Sequence, residues 1–433
     1  MIQTLEALQS GKLIGTKTLK LACGLKEFPE NILSLAETLE VLDLSDNQLT
    51  ELPDSISQLK HLRILFFARN NFTEFPEILK KCPTLTMIGF KSNQIKTVPE
   101  NAFPPLLNWL ILTDNKIEKL PKSIGDCHLL QKCALAGNQI EELPSEMANC
   151  LNLELLRISA NKLKLIPEWL FELPKLSWVA FGGNPTSHKI QLNTDLESFD
   201  WSDFTIKELI GEGASGLISK ANWISKKDDV AIKVFKGDVT SDGLPEDEMG
   251  IAIAAGCHDN LIDVLGKIKN HPEAKSGLIL KLIASNYINL GNPPSLETCT
   301  RDTFDEESVF NGGELLKIAK GIASVSAQLH SKGVNHGDLY AHNILINKTS
   351  ECLLGDFGAA SFYDTNSAFA HNIERVEVRA YGCLLEDVLS LVNKNDINDE
   401  LHNIWRKLIT DCTNTDVKRR LSFSEISEEL NKI

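Results

Sequence analysis

The residues best suited to chemistry lie in the second half of the chain. Gly211, Gly213 and Gly216, within "IGEGASGLISKA", stand in GxGxxG spacing. Glycines so placed let a backbone approach phosphate oxygens and aim N–H groups at them. Alone the spacing is weak, because a plain turn would also produce it. Lys233 follows in the apolar run "VAIKVFK", 20 residues after Gly213. A lone strand lysine is ordinarily a solvated edge residue. Further on, "HGDLYAHNILIN" sets Asp338 five residues before Asn343, and "LLGDFGAAS" carries Asp356. Carboxylate and amide oxygens are the hard ligands that Mg²⁺ takes, so a few such residues suffice to hold a nucleotide with its metal even in an acidic chain.

The order and local context of these residues resemble the protein kinase family, from about Phe204 to Ile433. The resemblance implies an ATP site with Mg²⁺. Gly211, Gly213, Ala214, Ser215 and Gly216 would cover the phosphates, Ile218 and Ala231 would also belong to the nucleotide site, and Lys233 would grip the α- and β-phosphates. The lysine needs a carboxylate from the next helix, "LPEDEMGIAIAAGCHDN"; Glu248 is the choice and Glu246 the runner-up. "GLILKLI" would enter the hinge that holds adenine, with Leu280, Lys281, Leu282 and Ile283 around it. Asp338 would be the catalytic base, Asn343 and Asp356 the Mg²⁺ ligands, with Phe357 and Gly358 completing the DFG motif. The apolar-periodic helix "GGELLKIAKGIASVSAQLHSKGV" delivers the chain into that loop.

Four departures shape the expectation. Gly337 replaces the arginine before the catalytic aspartate, which implies no regulation by loop phosphorylation. Tyr340 stands where many Ser/Thr kinases have a lysine, and His342 where tyrosine kinases often have arginine, so a cation is missing or weakened. Ser/Thr preference is expected, with Tyr left open. Glu377 replaces the structural aspartate of the family's "DVWSFG" helix but retains a carboxylate for the loop backbone. Only 21 residues separate Asp356 from Glu377, with no Ala-Pro-Glu motif; Glu374 is expected to take over the ion pair with Arg420. Peptide selection then falls to the rest of the chain.

The first half is a repeat. Asn47, Asn70, Asn93, Asn115, Asn138, Asn161 and Asn184 recur at a spacing of 23, with a single 22, in the "LEVLDLSDNQL" pattern. This is the leucine-rich repeat period and consensus. Stacked leucines make one continuous core, each Asn satisfies backbone groups of the turn, and the "ELP"-type prolines fall on return segments where no ladder needs an N–H. The variable columns Val41, Ile64, Met87, Trp109, Lys132, Leu155, Trp178 and Asp43, Phe66, Gly89, Ile111, Ala134, Arg157, Ala180 would face outward from the strands. Their apolar character marks a protein-binding concave face, unless they pack on one another or on the second domain.

The expected architecture is therefore an α/β leucine-rich-repeat solenoid (1–184), a linker (185–203), and a two-lobed α+β protein kinase fold (204–433). A net charge of −15 argues against a surface built for nucleic acid or anionic lipid. No run of about 18 apolar residues appears that would span a membrane, and the start lacks a secretory signal. A cytoplasmic protein follows, with Cys82, Cys127 and Cys150 as small core residues rather than disulfides or metal ligands. The expected function is MgATP-dependent phosphorylation of protein substrates recruited by the repeats. The alternatives are a nucleotide-binding pseudokinase scaffold and a small-molecule kinase. The repeats are expected to give no catalytic group, so deletion of Met1 to Asn184 would leave ATP binding intact.

Overall fold

The structure, a computed structural model, describes residues 3–187, 196–213, 215–237, 240, 242–393 and 396–433. The chain separates into two compact units: Met1–Leu173 with Asn184–Thr186, and Pro174–Gly183 with Ser187–Ile433. The division falls inside the last repeat of the sequence pattern and not after Asn184.

The first unit begins with α1 (Leu5–Gln9), whose Thr4 hydroxyl accepts from Ala7 N. Seven three-residue strands follow: β1 (Thr18–Lys20), β2 (Val41–Asp43), β3 (Ile64–Phe66), β4 (Met87–Gly89), β5 (Trp109–Ile111), β6 (Lys132–Ala134) and β7 (Leu155–Arg157). They pair in parallel and in strict register, Val41 opposite Ile64, Met87, Trp109, Lys132 and Leu155 in turn. The central residues Leu42, Leu65, Ile88, Leu110, Cys133 and Leu156 are wholly buried between sheet and return segments. Pro53, Pro76, Pro121 and Pro144 each sit immediately before a short 3-10 turn in extended conformation, where a missing N–H costs nothing. Cys82, Cys127 and Cys150 end three of these turns, and burial pushes their thiols up to about 11, 12 and 11.

The asparagines bind consecutive repeats together. Asn70 Nδ2 donates to Leu44 O and Phe67 O, while its Oδ1 accepts from Leu49 N; Asn93, Asn138 and Asn161 repeat the arrangement. The residue before each is left-handed: Asp46, Arg69, Ser92, Asp114, Gly137 and Ala160 have φ between 52° and 71°. That reversal turns the Asn side chain back beneath the strand it leaves.

The second unit holds β8 (Trp178–Ala180), β9 (Ser198–Asp200), β10 (Phe204–Glu212), β11 (Gly216–Trp223), β12 (Asp228–Phe235), α2 (Pro245–Ala255), β13 (Val264–Lys269) and β14 (Gly277–Lys281). A six-stranded sheet runs β10-β11-β12-β14-β13-β9. It is antiparallel except for β9, which pairs in parallel with β13; Ser198–Asp200, read from sequence as linker, is thus part of the sheet. One face packs Ala221, Trp223, Val230, Ile232 and Ile279; the other packs Phe235 and Leu278 on Ile253 of α2. A largely helical part follows, with β15 (Ile288–Asn289), α3 (Gly312–Ser331), β16 (Val334–Asn335), β17 (Ile344–Ile346), β18 (Cys352–Leu354), β19 (Ser361–Phe362), α4 (Ala370–Ser390), α5 (Asp399–Cys412) and α6 (Phe423–Leu430). Capping boxes at Asn311 and Ser422 fix the starts of α3 and α6, each satisfying two otherwise unpaired N–H groups. Among the described residues no helix is long and apolar enough to cross a membrane.

Candidate active site

The sheet register decides which residues share a face. Ile218 lies opposite Lys233, Lys233 opposite Leu278, and Ala231 opposite Leu280. Directly opposed residues project to the same side and strand residues alternate, so Ile218, Ala231, Lys233 and Leu280 line one face. On that face Lys233 Nζ is ion-paired with Glu248 Oε1 of α2. Glu248 is buried while Glu246 is exposed, because the helix phase set by Pro245 at its start turns position 248 inward. A Cβ on Gly358 would lie 3.9 Å from Glu248 Oε2, which puts the pair beside the DFG segment.

The three glycines of the β10–β11 turn are not equivalent. A Cβ at Gly216 would meet Val234 O at 2.6 Å, whereas nothing lies within 4 Å of one at Gly213. Gly213 N donates to Gly216 O, closing the turn, and Ser215 is buried beside it; Ala214 lies outside the described residues. Gly211 pairs with Ile218. Of the hinge residues, Lys281 points outward to Asp263. Leu282 and Ile283 border a cavity of about 510 Å³ with Leu261, Ile262, Tyr287 and Leu353. Lys233, Asp338 and Asp356 do not line it, so the cavity is separate from the residues that could do chemistry.

The 336–343 loop is held from within. Asn343 Nδ2 donates to Asp338 Oδ2 (2.7 Å) and to Asp338 O (2.9 Å). Asn343 O accepts from Gly355 N, which brings it next to Asp356. His336 Nδ1 accepts from Asp338 N, so its Nε2 carries the proton and donates to Gly355 O (2.9 Å). Asp356 has φ 54°, and its Oδ1 accepts from Gly358 N. Asn343 Oδ1 receives no donor among the described residues. Asn343 Oδ1 and the Asp356 carboxylate are both hard oxygens, the type Mg²⁺ takes, so the donor chemistry fits the ion.

Three anchors outside the loop hold it, and the roles of two of them, Asp302 and Trp178, are invisible in the sequence. Buried Glu377 accepts from Gly337 N (2.6 Å), His336 N (3.2 Å) and His330 Nε2 (2.7 Å). Desolvation works against its charge, but His330, His336 and Gly337 together hold its carboxyl below the ordinary value. Asp302, unmarked in the sequence, accepts from Ala341 N and contacts His342 Nδ1 (2.7 Å). Its neighbour Arg301 is paired with Glu386 and Asp387 of α4. Burial opposes protonation of His342, yet Asp302, with Asp338 and Asp356, raises it above the ordinary imidazole value. The imidazole of His342 thus lies one residue before Asn343, in the place where the sequence implied a missing or weakened cation. Tyr340 is sandwiched between Trp178 (centroids 4.4 Å, planes 7° apart) and His342 (5.0 Å, 29°).

Gly337 has φ +72°, and a Cβ there would lie 2.6 Å from Val179 O and 2.7 Å from Ala359 O. The position admits only glycine, which is the physical reason the arginine is gone. The expected Glu374–Arg420 ion pair is not what forms. Arg420 donates to the carbonyls of Asn414, Arg375 and Pro174, and Glu374 accepts from Phe423 N, because buried Arg420 lies among unpaired carbonyls. Not all of the two variable columns is exposed: Ile64, Met87, Ala134, Leu155 and Arg157 are buried, and Trp178 and Ala180 are buried at 1% and 0% exposure, with Trp178 Nε1 donating to Leu339 O, the alternative in which these side chains pack instead of facing solvent.

Comparison with known proteins concerns the same stretch of chain. The protein kinase domain model matches residues 204–381, the stretch that contains Gly211, Lys233, Glu248, Asp338, Asn343 and Asp356. Residues 37–81 match the leucine-rich repeat model (two copies). A probable LIM domain-containing serine/threonine-protein kinase of Dictyostelium discoideum is 25% identical over 289 residues, covering 58% of this chain and 42% of its own. A probable serine/threonine-protein kinase of the same organism is 25% identical over 273 residues, 53% of this chain and 16% of its own. An LRR receptor-like serine/threonine-protein kinase of Arabidopsis thaliana is 30% identical over 208 residues, 45% of this chain and 18% of its own. The chain spans under half the length of each of these relatives.

Proposed function

We propose that the chain transfers the γ-phosphate of MgATP to Ser/Thr hydroxyls of protein substrates, in the cytoplasm, with the repeats presenting a partner or substrate. The observation that carries this is the 2.7 Å bond from Asn343 to Asp338 Oδ2 together with the Lys233–Glu248 pair on the facing sheet. In this reading the Asp338 carboxylate takes the substrate hydroxyl's proton as the oxygen attacks phosphorus. Lys233, held by Glu248, orients the α- and β-phosphates. Gly213, with open space around its Cα, and Gly216 let the backbone approach them, while Ile218, Ala231 and Leu280 receive the base. Asn343 and Asp356 would hold Mg²⁺, which when bound neutralises phosphate charge. Phosphoryl transfer is mostly positioning and charge neutralisation, and the set supplies both. The two-lobed fold and the solenoid belong to the same reading, as does partner binding by the half-exposed Val41, Phe66, Trp109 and Ile111 on the concave face. The ten free thiols support a reducing compartment.

The test is phosphate transfer from labelled ATP with Mg²⁺ to a general protein acceptor, in wild type and Asp338→Ala. Transfer lost in the variant, with nucleotide binding retained, is the expected result. Equal label in both variants refutes the assignment; binding without any turnover in wild type supports the pseudokinase scaffold, for which the burial of Tyr340 in place of a lysine is the favouring observation.

A further inference from the structure

The proposed function leaves a mechanical gap, and this inference rests on it. The stretch between Asp356 and Glu377 is short, and Gly337 supplies no side chain, so the loop carrying Asp338 needs another brace. The segment Pro174–Gly183, which precedes the kinase match, meets that need. Trp178 stacks on Tyr340, and its Nε1 donates to Leu339 O at 3.1 Å. Val179 O accepts from Asn335 Nδ2 at 2.9 Å. Phe181 N and Gly182 N both donate to Ser361 Oγ at 2.9 Å. Ser177 Oγ accepts from Arg379, and Pro174 O from Arg420. Asn335 and Ser361 are themselves paired across β16 and β19, one just before His336 and the other just after the DFG segment. One short strand therefore fixes both arms on either side of Asp338.

We infer that Pro174–Gly183 acts as a built-in substitute for the shortened activation segment, with Trp178 as the positioning residue of the 336–343 loop. The brace is covalently part of the chain and uses no phosphorylated residue, so the loop is ordered constitutively. The functional catalytic unit begins at Pro174, and a deletion running to Asn184 removes part of it, so such a deletion lowers transfer itself as well as substrate recruitment while ATP binding is retained.

The test uses the full chain with Trp178→Ala and Trp178→Phe, read in two ways. Hydrogen exchange of peptides spanning 336–343 is expected to quicken about tenfold or more in Trp178→Ala while β10–β14 keep wild-type protection. Steady-state transfer should show kcat down about ten- to a hundredfold with the KM for ATP held within about twofold, a pattern of lost positioning. Trp178→Phe keeps a ring on Tyr340 and should recover most of kcat. Wild-type loop protection in Trp178→Ala overturns the inference, as does a kcat loss matched by an equal loss of nucleotide affinity. If Trp178→Ala does not fold, Ser361→Ala, which removes only the shared acceptor of Phe181 and Gly182, takes its place: faster exchange in 336–343 supports the brace and wild-type protection there overturns it. A wild-type chain that transfers no phosphate refutes the proposed function alone, since the exchange measurement still decides the brace.

Discussion

Replacing Glu377 by Gln keeps the shape of the side chain and removes its charge. The carboxylate now serves three donors: Gly337 N, His336 N and His330 Nε2. The amide offers one acceptor oxygen, and its NH₂ must face N–H groups that already donate. At least one charge-assisted bond is lost and one buried N–H left unmatched. Such a bond contributes ~1.5–3 kcal/mol and an unmatched buried donor costs about as much, so a loss of about 3 kcal/mol is expected. For a unit of this size that lowers Tm by roughly 6–12 °C. The pH dependence follows from the direction of the shift. Glu377's carboxyl is held below its ordinary value of 4.5, so its stabilisation is complete above that value and fades as pH falls through the lower, folded-state value. Calorimetry of both proteins should therefore give a Tm gap that is flat from pH 7 down to about 5 and narrows below 4.5. A gap of the same size at pH 7 and at pH 3.5 would refute the argument that the ionised carboxylate anchors the loop.

Restoring the arginine with Gly337→Arg should destabilise the second unit by roughly 2–4 kcal/mol and abolish transfer, because the left-handed backbone and the nearby carbonyls leave no room for a Cβ; urea denaturation and the labelled-ATP assay check both. Asn161→Ala removes bonds to Leu135 O and Ile158 O and orphans the Ile140 N–H. It should cost about 2–4 kcal/mol in the repeat transition, seen in the urea midpoint, with nucleotide affinity unchanged. Ala160→Gly relieves a left-handed alanine at φ 52° and should raise the stability of the same transition by about 0.5–1 kcal/mol. Gly213→Ala should leave the thermal midpoint unchanged, whereas Gly216→Ala should lower it, since only the latter's Cβ meets a backbone carbonyl.

The parts of the molecule legible in the sequence are those whose physics is local or periodic. A 23-residue recurrence of Leu and Asn reports stacking directly, because each repeat solves the same burial problem as its neighbour. Lys233, Asp338, Asn343 and Asp356 stand out because each occupies a short stretch with its own apolar or glycine context. What escaped is set by long-range contacts to backbone atoms. Arg420 was assigned a carboxylate partner because side chains are what a sequence displays, yet its donors meet carbonyls, which every residue has. Asp302 sits in an unremarkable polar loop, and nothing near it announces that it carries Ala341 and His342. Strand alternation says which face Trp178 takes but not what lies against that face, so the choice between an exposed and a packed ring stays open until Tyr340 is seen beside it. The left-handed residues before the asparagines went unread because Asp, Arg, Ser, Gly and Ala share no chemistry, only a backbone conformation.

The asparagine bonds also bear on how the array could change length. From Asn70 to Asn161, each bonds to the preceding repeat and to a carbonyl three residues earlier in its own. The one short interval shows the tolerance: between Asn93 and Asn115 the spacing is 22, yet Asn115 still donates to Phe90 O and Leu112 O and accepts from Ile95 N. The missing residue was taken from the return segment, the one stretch between consecutive strands of β2–β7 without a 3-10 turn. Duplication or loss of a whole unit would preserve every bond in the ladder, and small insertions would be absorbed on the return side. The array is in that sense a tally that a gene can lengthen or shorten one notch at a time while the strands stay in register.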